Sequence, residues 1–355
     1  MDLPVDQAFC HRLPKAELHA HLSGSVRRET LHSIWQRKQA KQQCLDLEDP
    51  SLALKPAGDY PTVVSFFQIF NKYIYRLLDD AESIADATMP VLEDFRIDGV
   101  KYLELRTTPR AIPGPGIDYA EYVHLVRQAI EGWNLARYFH NAHNYELEAH
   151  LILSVDRSMT LAQGMEVVDV AIANQALLEP GCASRVLGVD LCGNPSVTPI
   201  SHLAPAFRRA KDAGLNITVH FAETPTSSTD TELEELFAWS PSRLGHAIHV
   251  PPHLIEVVQS KDIALELCLS CNVLSKLTEG GFADHHFGMW RNNGCKVALG
   301  TDDVGVFESA LSNEYLLAAK HFGLSEGEVV GLARSAISAA WAGKERMMKL
   351  LDEFS

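Results

Sequence analysis

Ala16-Glu17-Leu18-His19-Ala20-His21 is a strand-length run that stops abruptly on polar residues, and the same design recurs along the chain. Further runs lie at 100–106, 147–155, 186–191, 217–222, 243–249, 263–269 and 296–301. Between the later ones stand stretches of helical character, at 165–178, 205–213, 233–239 and 252–259. Strands alternating with helices read as parallel βαβ units, because a parallel neighbour is reached only through a long crossover. About eight such units close a barrel, so the expected fold is an α/β (β/α)8 TIM barrel. No repeat, low-complexity tract or Gly/Ser linker interrupts the pattern, and residues 1–355 are expected to form a single domain.

The gap between the first two runs is longer than a crossover needs and carries extra helices at 63–78 and 81–95. In Phe66-Phe-Gln-Ile-Phe-Asn-Lys-Tyr-Ile-Tyr75 the apolar positions recur with mixed helical spacing. Such a helix either packs as core or closes over the barrel mouth, where insertions carry the chemistry of this fold. Ser325-Glu-Gly-Glu328 is a capping-box pattern and opens a C-terminal helix expected to run through Leu351.

Composition narrows the function. The chain has 31 basic and 46 acidic residues, a net charge of −15, and is 46% apolar, so a sizeable core is available. An acidic surface argues against nucleic-acid or membrane-surface binding, and any anionic ligand must be held by a local basic group. No window approaches the ~18 consecutive apolar residues of a membrane span. The N-terminus lacks the basic start and apolar stretch of a secretory signal. Cys10, Cys44, Cys182, Cys192, Cys268, Cys271 and Cys295 form an odd, scattered set, which suits reduced thiols. A cytosolic monomer without nucleic-acid or membrane partners is the expectation. Cys268-Leu-Ser-Cys271 has CxxC spacing, but structural zinc would want a second pair. Cytidine-type deaminases add an upstream His-x-Glu, which is absent, so two ordinary cysteines at a strand end are expected.

The residues that end the runs carry the chemistry. The first ends in His19-Ala-His21, and alternate strand residues face one way, so both imidazoles can reach one ion. Later runs end in His220-Phe-Ala-Glu223, contain His246, or end in Thr301-Asp302-Asp303. In a closed barrel these ends converge on one mouth. Three histidines and a carboxylate there suit zinc with a position left open for water. The remaining polar groups would supply acid and base for a hydrolysis. The competing reading is that these residues merely satisfy one another.

Pro14-Lys-Ala-Glu-Leu-His-Ala-His-Leu-Ser-Gly24, His220-Phe-Ala-Glu223, Leu244-Gly-His-Ala247 and Gly300-Thr-Asp-Asp303 together resemble the adenosine/AMP deaminase family, in family order. The resemblance implies a zinc-dependent barrel that hydrolyses the exocyclic amine at C6 of a purine. His19, His21, His220 and Asp302 would ligate one Zn2+, with His21 also facing substrate. Glu223 would protonate purine N1, while His246 and Asp302 would orient and deprotonate the attacking water. Asp303 would meet N7, and the backbone N–H of Gly193 would meet N3. Asp190-Leu-Cys-Gly193-Asn-Pro departs from the acidic ending common in that loop, so only the glycine carries over.

Two departures bear on substrate. Adenosine deaminases carry an aspartate, facing the ribose 5′-hydroxyl, where this chain has Ser23. A carboxylate there would repel a 5′-phosphate, whereas a hydroxyl can donate to one. Leu105-Arg-Thr-Thr-Pro-Arg110 brings Thr107, Thr108 and Arg110 together as phosphate donors. The rival reading pairs Arg106 and Arg110 with surface carboxylates. Asp156 would bind ribose or a loop donor, and Asn71 would touch ligand from the extra helix. The expected reaction turns a purine nucleoside 5′-monophosphate into IMP and an amine, the resemblance favouring N6-methyl-AMP. The alternatives are an unphosphorylated adenosine substrate, another barrel amidohydrolase, or a non-catalytic binding protein on this fold. Binuclear amidohydrolases place a carbamylated lysine after the fourth strand, and 186–195 contains no lysine.

Overall fold

The polar stops fall where strands end. In a computed structural model, which describes residues 4–43, 46–55, 63–139, 147–175 and 184–354, the strands are β1 (Lys15–His21), β2 (Val100–Thr107), β3 (Glu148–Asp156), β4 (Val186–Cys192), β5 (Asn216–Phe221), β6 (Arg243–His246), β7 (Ala264–Leu267) and β8 (Val297–Leu299). They form one eight-stranded sheet in chain order, and every neighbouring pair is parallel. The first and last strands meet just beyond β8. There His21 N–H donates to the Asp302 carbonyl at 2.8 Å, and Asp302 N–H donates to the His19 carbonyl at 2.7 Å. The barrel therefore closes through the backbones of candidate metal ligands. β1 is irregular between Glu17 and Ala20, and the Glu17 carboxylate accepts the His19 N–H at 2.7 Å.

Strands of such a barrel are covered on both faces, which is why they read as apolar runs. Leu151, Leu153 and Val155, for example, are fully buried. The exceptions include charged residues buried inside the barrel, among them two arginines with acidic partners. Arg106 bonds Asp190 at 3.0 Å and also pairs with Glu266. Arg243 pairs with Glu104 at 2.6 Å and with Glu266 at 2.5 Å.

Between β1 and β2 the expected extra helices are present, including Val63–Ile69, Tyr75–Leu77 and Ala81–Ile97. The segment Phe70–Ile74 between the first two is a π-helix. An i→i+5 turn shifts the side-chain period, which accounts for the mixed spacing in the sequence. The helix expected over 165–178 is observed as Leu161–Gln175, and residues 176–178, Cys44 and Cys182 lie outside the described residues.

Three expectations need correction. The C-terminal helix is two helices, Glu326–Ala339 and Lys344–Phe354. The break is held by buried acceptors: Trp341 N–H donates to Glu104 at 2.7 Å and Ala342 N–H to the Tyr102 hydroxyl at 2.9 Å. The capping box at Ser325 and Glu328 is formed. The sixth strand stops at His246, not 249, because His246 and Ala247 turn to φ +62° and +49°. Lastly, β7 ends at Leu267, and Cys268 instead precedes a short helix, Leu269–Leu274, that contains Cys271. Both thiols are free and buried, and burial pushes them well above the ordinary range, so they remain neutral. No helix among the described residues is long and apolar enough to cross a membrane.

The interior charges make a stability test. Arg243→Met strands Glu104 without its ionic partner, while Glu266 keeps Arg106, and losing one member of a buried pair costs about 3–5 kcal/mol. Urea unfolding should report that loss. Arg334→Ala, which breaks an exposed pair with Asp352, should stay within about 1 kcal/mol.

Candidate active site

Four side chains converge at the C-terminal mouth: His19 and His21 from β1, His220 from β5, and Asp302 just after β8. One donor atom from each lies within 4.8 Å of the other three. Nε2 of His19 is 3.5 Å from the Asp302 carboxylate, Nε2 of His21 is 3.4 Å from it, and Nε2 of His21 is 3.3 Å from Nε2 of His220. The far nitrogens show what these atoms carry. Nδ1 of His220 stands 2.8 Å from the Leu191 carbonyl, which only accepts, so the proton is on Nδ1. Nδ1 of His19 stands 2.9 Å from the Glu266 carboxylate, with the same consequence. Their Nε2 lone pairs therefore belong to the same close cluster as the Asp302 carboxylate. The Nε2 of His19 is buried and has no hydrogen-bond partner. Imidazole lone pairs and a carboxylate gathered this closely fit a divalent cation such as zinc.

Electrostatics point the same way. Burial and Arg106 push the His19 imidazole down, yet the carboxylates of Asp302 and Glu266 outweigh them and lift it to about 9, so a cation would take the Nε2 position in competition with a proton. Burial pushes Asp302 up, but His19, His246 and His21 hold it well below the carboxylate range. The site is built to accept positive charge.

Three further groups surround it. Glu223 follows β5 after Ala222 turns to φ +50°, and its buried Oε2 has no partner. Burial raises its carboxyl to about 7, so it can carry a proton at neutral pH. Asp303 is raised well above its ordinary value by burial, then by Asp302 and Glu223, and its Oδ1 is likewise unpartnered. Gly24 makes room for it: a Cβ there would lie 1.6 Å from Oδ1 of Asp303. His246 is fully buried, with Nε2 3.9 Å from the Asp302 carboxylate.

These groups open into a cavity of about 660 Å³. Its wall includes His21, Ser23, Asn71, Thr107, Thr108, Arg110, Asp156, Gly193, Glu223, His246, Asp302 and Asp303, so every residue expected to bind substrate lies on it. His19 sits beneath the wall. Phe66, Phe70, Asn71 and Tyr75 of the insertion also line it, so this helical segment serves both as core and as cover for the mouth. Gly193 has φ +97°, and a Cβ on it would lie 2.4 Å from the Asp156 carboxylate.

The loop expected to meet a phosphate differs from expectation in detail. Arg106 pairs with interior, not surface, carboxylates. Arg110 donates to the backbone carbonyls of Leu78 at 2.9 Å and Tyr75 at 3.4 Å, and stacks over the Tyr75 ring at 4.2 Å. Thr107 faces the Tyr122 hydroxyl at 2.9 Å, leaving Thr108 and Ser23 as the less committed hydroxyls. Sequence reasoning missed Glu266 and Asp190, which orient His19 and His220. It missed Asn272 too, whose amide meets His246 at 2.9 Å. The signal for the two acids was a carboxylate inside an otherwise apolar strand; Asn272 gave none.

Fold and site define a (β/α)8 barrel enzyme with a candidate metal-binding set of histidines and an aspartate at its C-terminal mouth. Residues 14–355 match the adenosine deaminase family, and the chain belongs to that family. An N6-methyl-AMP deaminase of Danio rerio is 35% identical, over 98% of this chain and 97% of its own. A solved Arabidopsis ADAL complexed with GMP is 33% identical, with TM-score 0.83 and 98% of both chains covered. A solved ADAL–IMP complex is 32% identical, again with TM-score 0.83 and 98% of each chain covered.

Glu266→Gln keeps the shape but weakens the acceptor that orients His19, and it also removes the charge shared by Arg106 and Arg243, which keep Asp190 and Glu104 as partners. Loss of such a supporting carboxylate typically costs about 10–100-fold in metal affinity. Chelator competition should show that drop while circular dichroism stays unchanged.

Proposed function

We propose that this chain is a hydrolytic deaminase of purine nucleoside 5′-monophosphates, with N6-methyl-AMP as substrate and IMP and methylamine as products. The observation that carries the reading is the pair of buried carboxyls, Glu223 and Asp303, whose oxygens lack partners and line the cavity beside the candidate ligand set. Purine N1, N3 and N7 are all acceptors, so a purine needs donors there. Glu223 serves as donor to N1, Asp303 as donor to N7, and the Gly193 N–H as donor to N3. Each carboxyl is lifted from its ordinary range chiefly by burial. Protonation at N1 drains charge from C6 and makes it electrophilic.

His19, His21, His220 and Asp302 would hold one zinc ion. Zinc held there supplies a nucleophilic oxygen near neutral pH, by lowering a water's pKa towards ~7. Asp302 and His246 face the attacking water. A C6–O bond forms, the C6–N bond breaks, and the amine leaves with a proton.

Phosphate recognition rests on Ser23, Thr108 and the charge of Arg110, and ribose recognition on Asp156, with Asn71 covering from above. The relatives solved with IMP and GMP support a nucleoside monophosphate in this cavity. So does the name of the Danio rerio relative for the N6-methyl group.

The test compares adenosine, AMP and N6-methyl-AMP by inosine or IMP release from the zinc-loaded enzyme. N6-methyl-AMP should give the highest kcat/KM, and preference for unphosphorylated adenosine overturns the reading. Glu223→Gln should lower kcat by about 10²–10⁴-fold, the scale of general acid catalysis, with zinc content unchanged. Ser23→Asp sets a second negative charge against the phosphate. It should cost at least about tenfold in kcat/KM for the nucleotide, since such a charge pair near a protein surface is worth about 4 kcal/mol at 4 Å.

A further inference from the structure

Four histidines crowd the mouth, with the His246 ring centroid 5.0 Å from those of both His19 and His220. Only three join the ligand set that includes His21. A chain of hydrogen bonds anchored in the backbone explains the difference.

The N–H of Phe287 stands 3.0 Å from Nδ1 of His285. A peptide N–H only donates, so Nδ1 of His285 is a lone pair and its proton is on Nε2. That Nε2 stands 3.1 Å from Oδ1 of Asn272. The other end of the same amide, Nδ2, stands 2.9 Å from Nδ1 of His246. Reversing the amide would set its N–H₂ against the His285 N–H, donor against donor. An amide N–H₂ only donates, so the lone pair of His246 is on Nδ1 and its proton is on Nε2. His246, Asn272 and His285 are all at most 2% exposed, so water cannot substitute for any link. Nε2 of His246 has no partner and faces Asp302 at the cavity wall.

We propose that Asn272 and His285 are positioning residues that lock His246 as an Nε2–H donor towards the reacting centre. His19 and His220 are locked the opposite way, by Glu266 and the Leu191 carbonyl, and present lone pairs. The tautomer therefore decides which imidazoles can bind a cation, and it bars His246 from doing so. It also bars the cluster of His246, Cys268 and Asp302 from acting as a second cation site. In the deaminase reading, on which the next step rests, His246 donates a hydrogen bond to the attacking oxygen and cannot take its proton. The O–H bond of the water breaks, its electron pair stays on that oxygen, and the proton goes to a carboxylate oxygen of Asp302. His246 thus orients, and Asp302 alone deprotonates.

Nitrogen NMR of the zinc-loaded full chain with ¹⁵N-labelled histidine tests this, His246 being assigned by its loss in His246→Gln. The expected wild-type pattern is pyridine-type Nδ1 and pyrrole-type Nε2. Asn272→Asp offers an acceptor in place of the donor, so it should move the proton to Nδ1. It should also lower kcat at least about tenfold, within the range of acid–base effects, with KM and zinc content nearly unchanged. His285→Gln, whose amide can still donate to Asn272, should keep the wild-type pattern, and His285→Leu should lose it. A pyrrole-type Nδ1 in the wild type, or full kcat in Asn272→Asp, overturns the assignment. The tautomer is read without turnover, so an inactive wild type with a pyrrole-type Nε2 supports the assignment and overturns the deaminase reading.

Discussion

Two backbone hydrogen bonds close this barrel, His21 N–H to the Asp302 carbonyl and Asp302 N–H to the His19 carbonyl. Everything functional depends on that seam. It joins residues almost three hundred positions apart and turns a sheet of eight parallel strands into a ring with one mouth. Because the seam is made by the candidate ligands' own backbones, closing the barrel and assembling the site are one event. Asp302 adopts φ +61° to do so, as His246 and Ala222 do at neighbouring strand ends. Left-handed backbone at non-glycine residues is held only where packing over-determines it, and such strain gathers at functional sites.

Inside the ring, charge is sorted by depth. Below the mouth, Arg106 and Arg243 pair with Asp190, Glu104 and Glu266, leaving acceptors in fixed positions for the imidazoles above. At the mouth, adjacent carboxyls are driven apart: Asp302 well below the ordinary range, Asp303 well above it, with Glu223 lifted to about 7. Titratable groups whose environments separate their proton affinities divide the acid and base roles between them. Here the carboxylate held low sits with the candidate ligands, and the two carboxyls raised by burial line the cavity.

Much of this was legible from residue order. Strands buried on both faces must be apolar, so their runs and polar stops stood out, and β1 to β5 were placed within a residue or two. Long-range contacts were not legible. The break after Ala339 depends on Glu104 and Tyr102, which accept the N–H groups freed there. Arg106, at the end of the second run, read as a possible partner of surface carboxylates, although its alternation with Glu104 along β2 points it inward. The early end of β6 is a backbone turn at His246 that no residue type announces. Every residue expected to bind substrate does line the cavity, but Arg110 is partly spent on backbone carbonyls of the covering helix.

The most direct measurement is anomalous diffraction at the zinc edge from crystals of the enzyme grown with IMP. The account predicts a single anomalous peak within bonding distance of His19, His21, His220 and Asp302, with the purine ring set between that ion and Glu223. A peak on Cys268 or His246, or no peak at the seam, would contradict it.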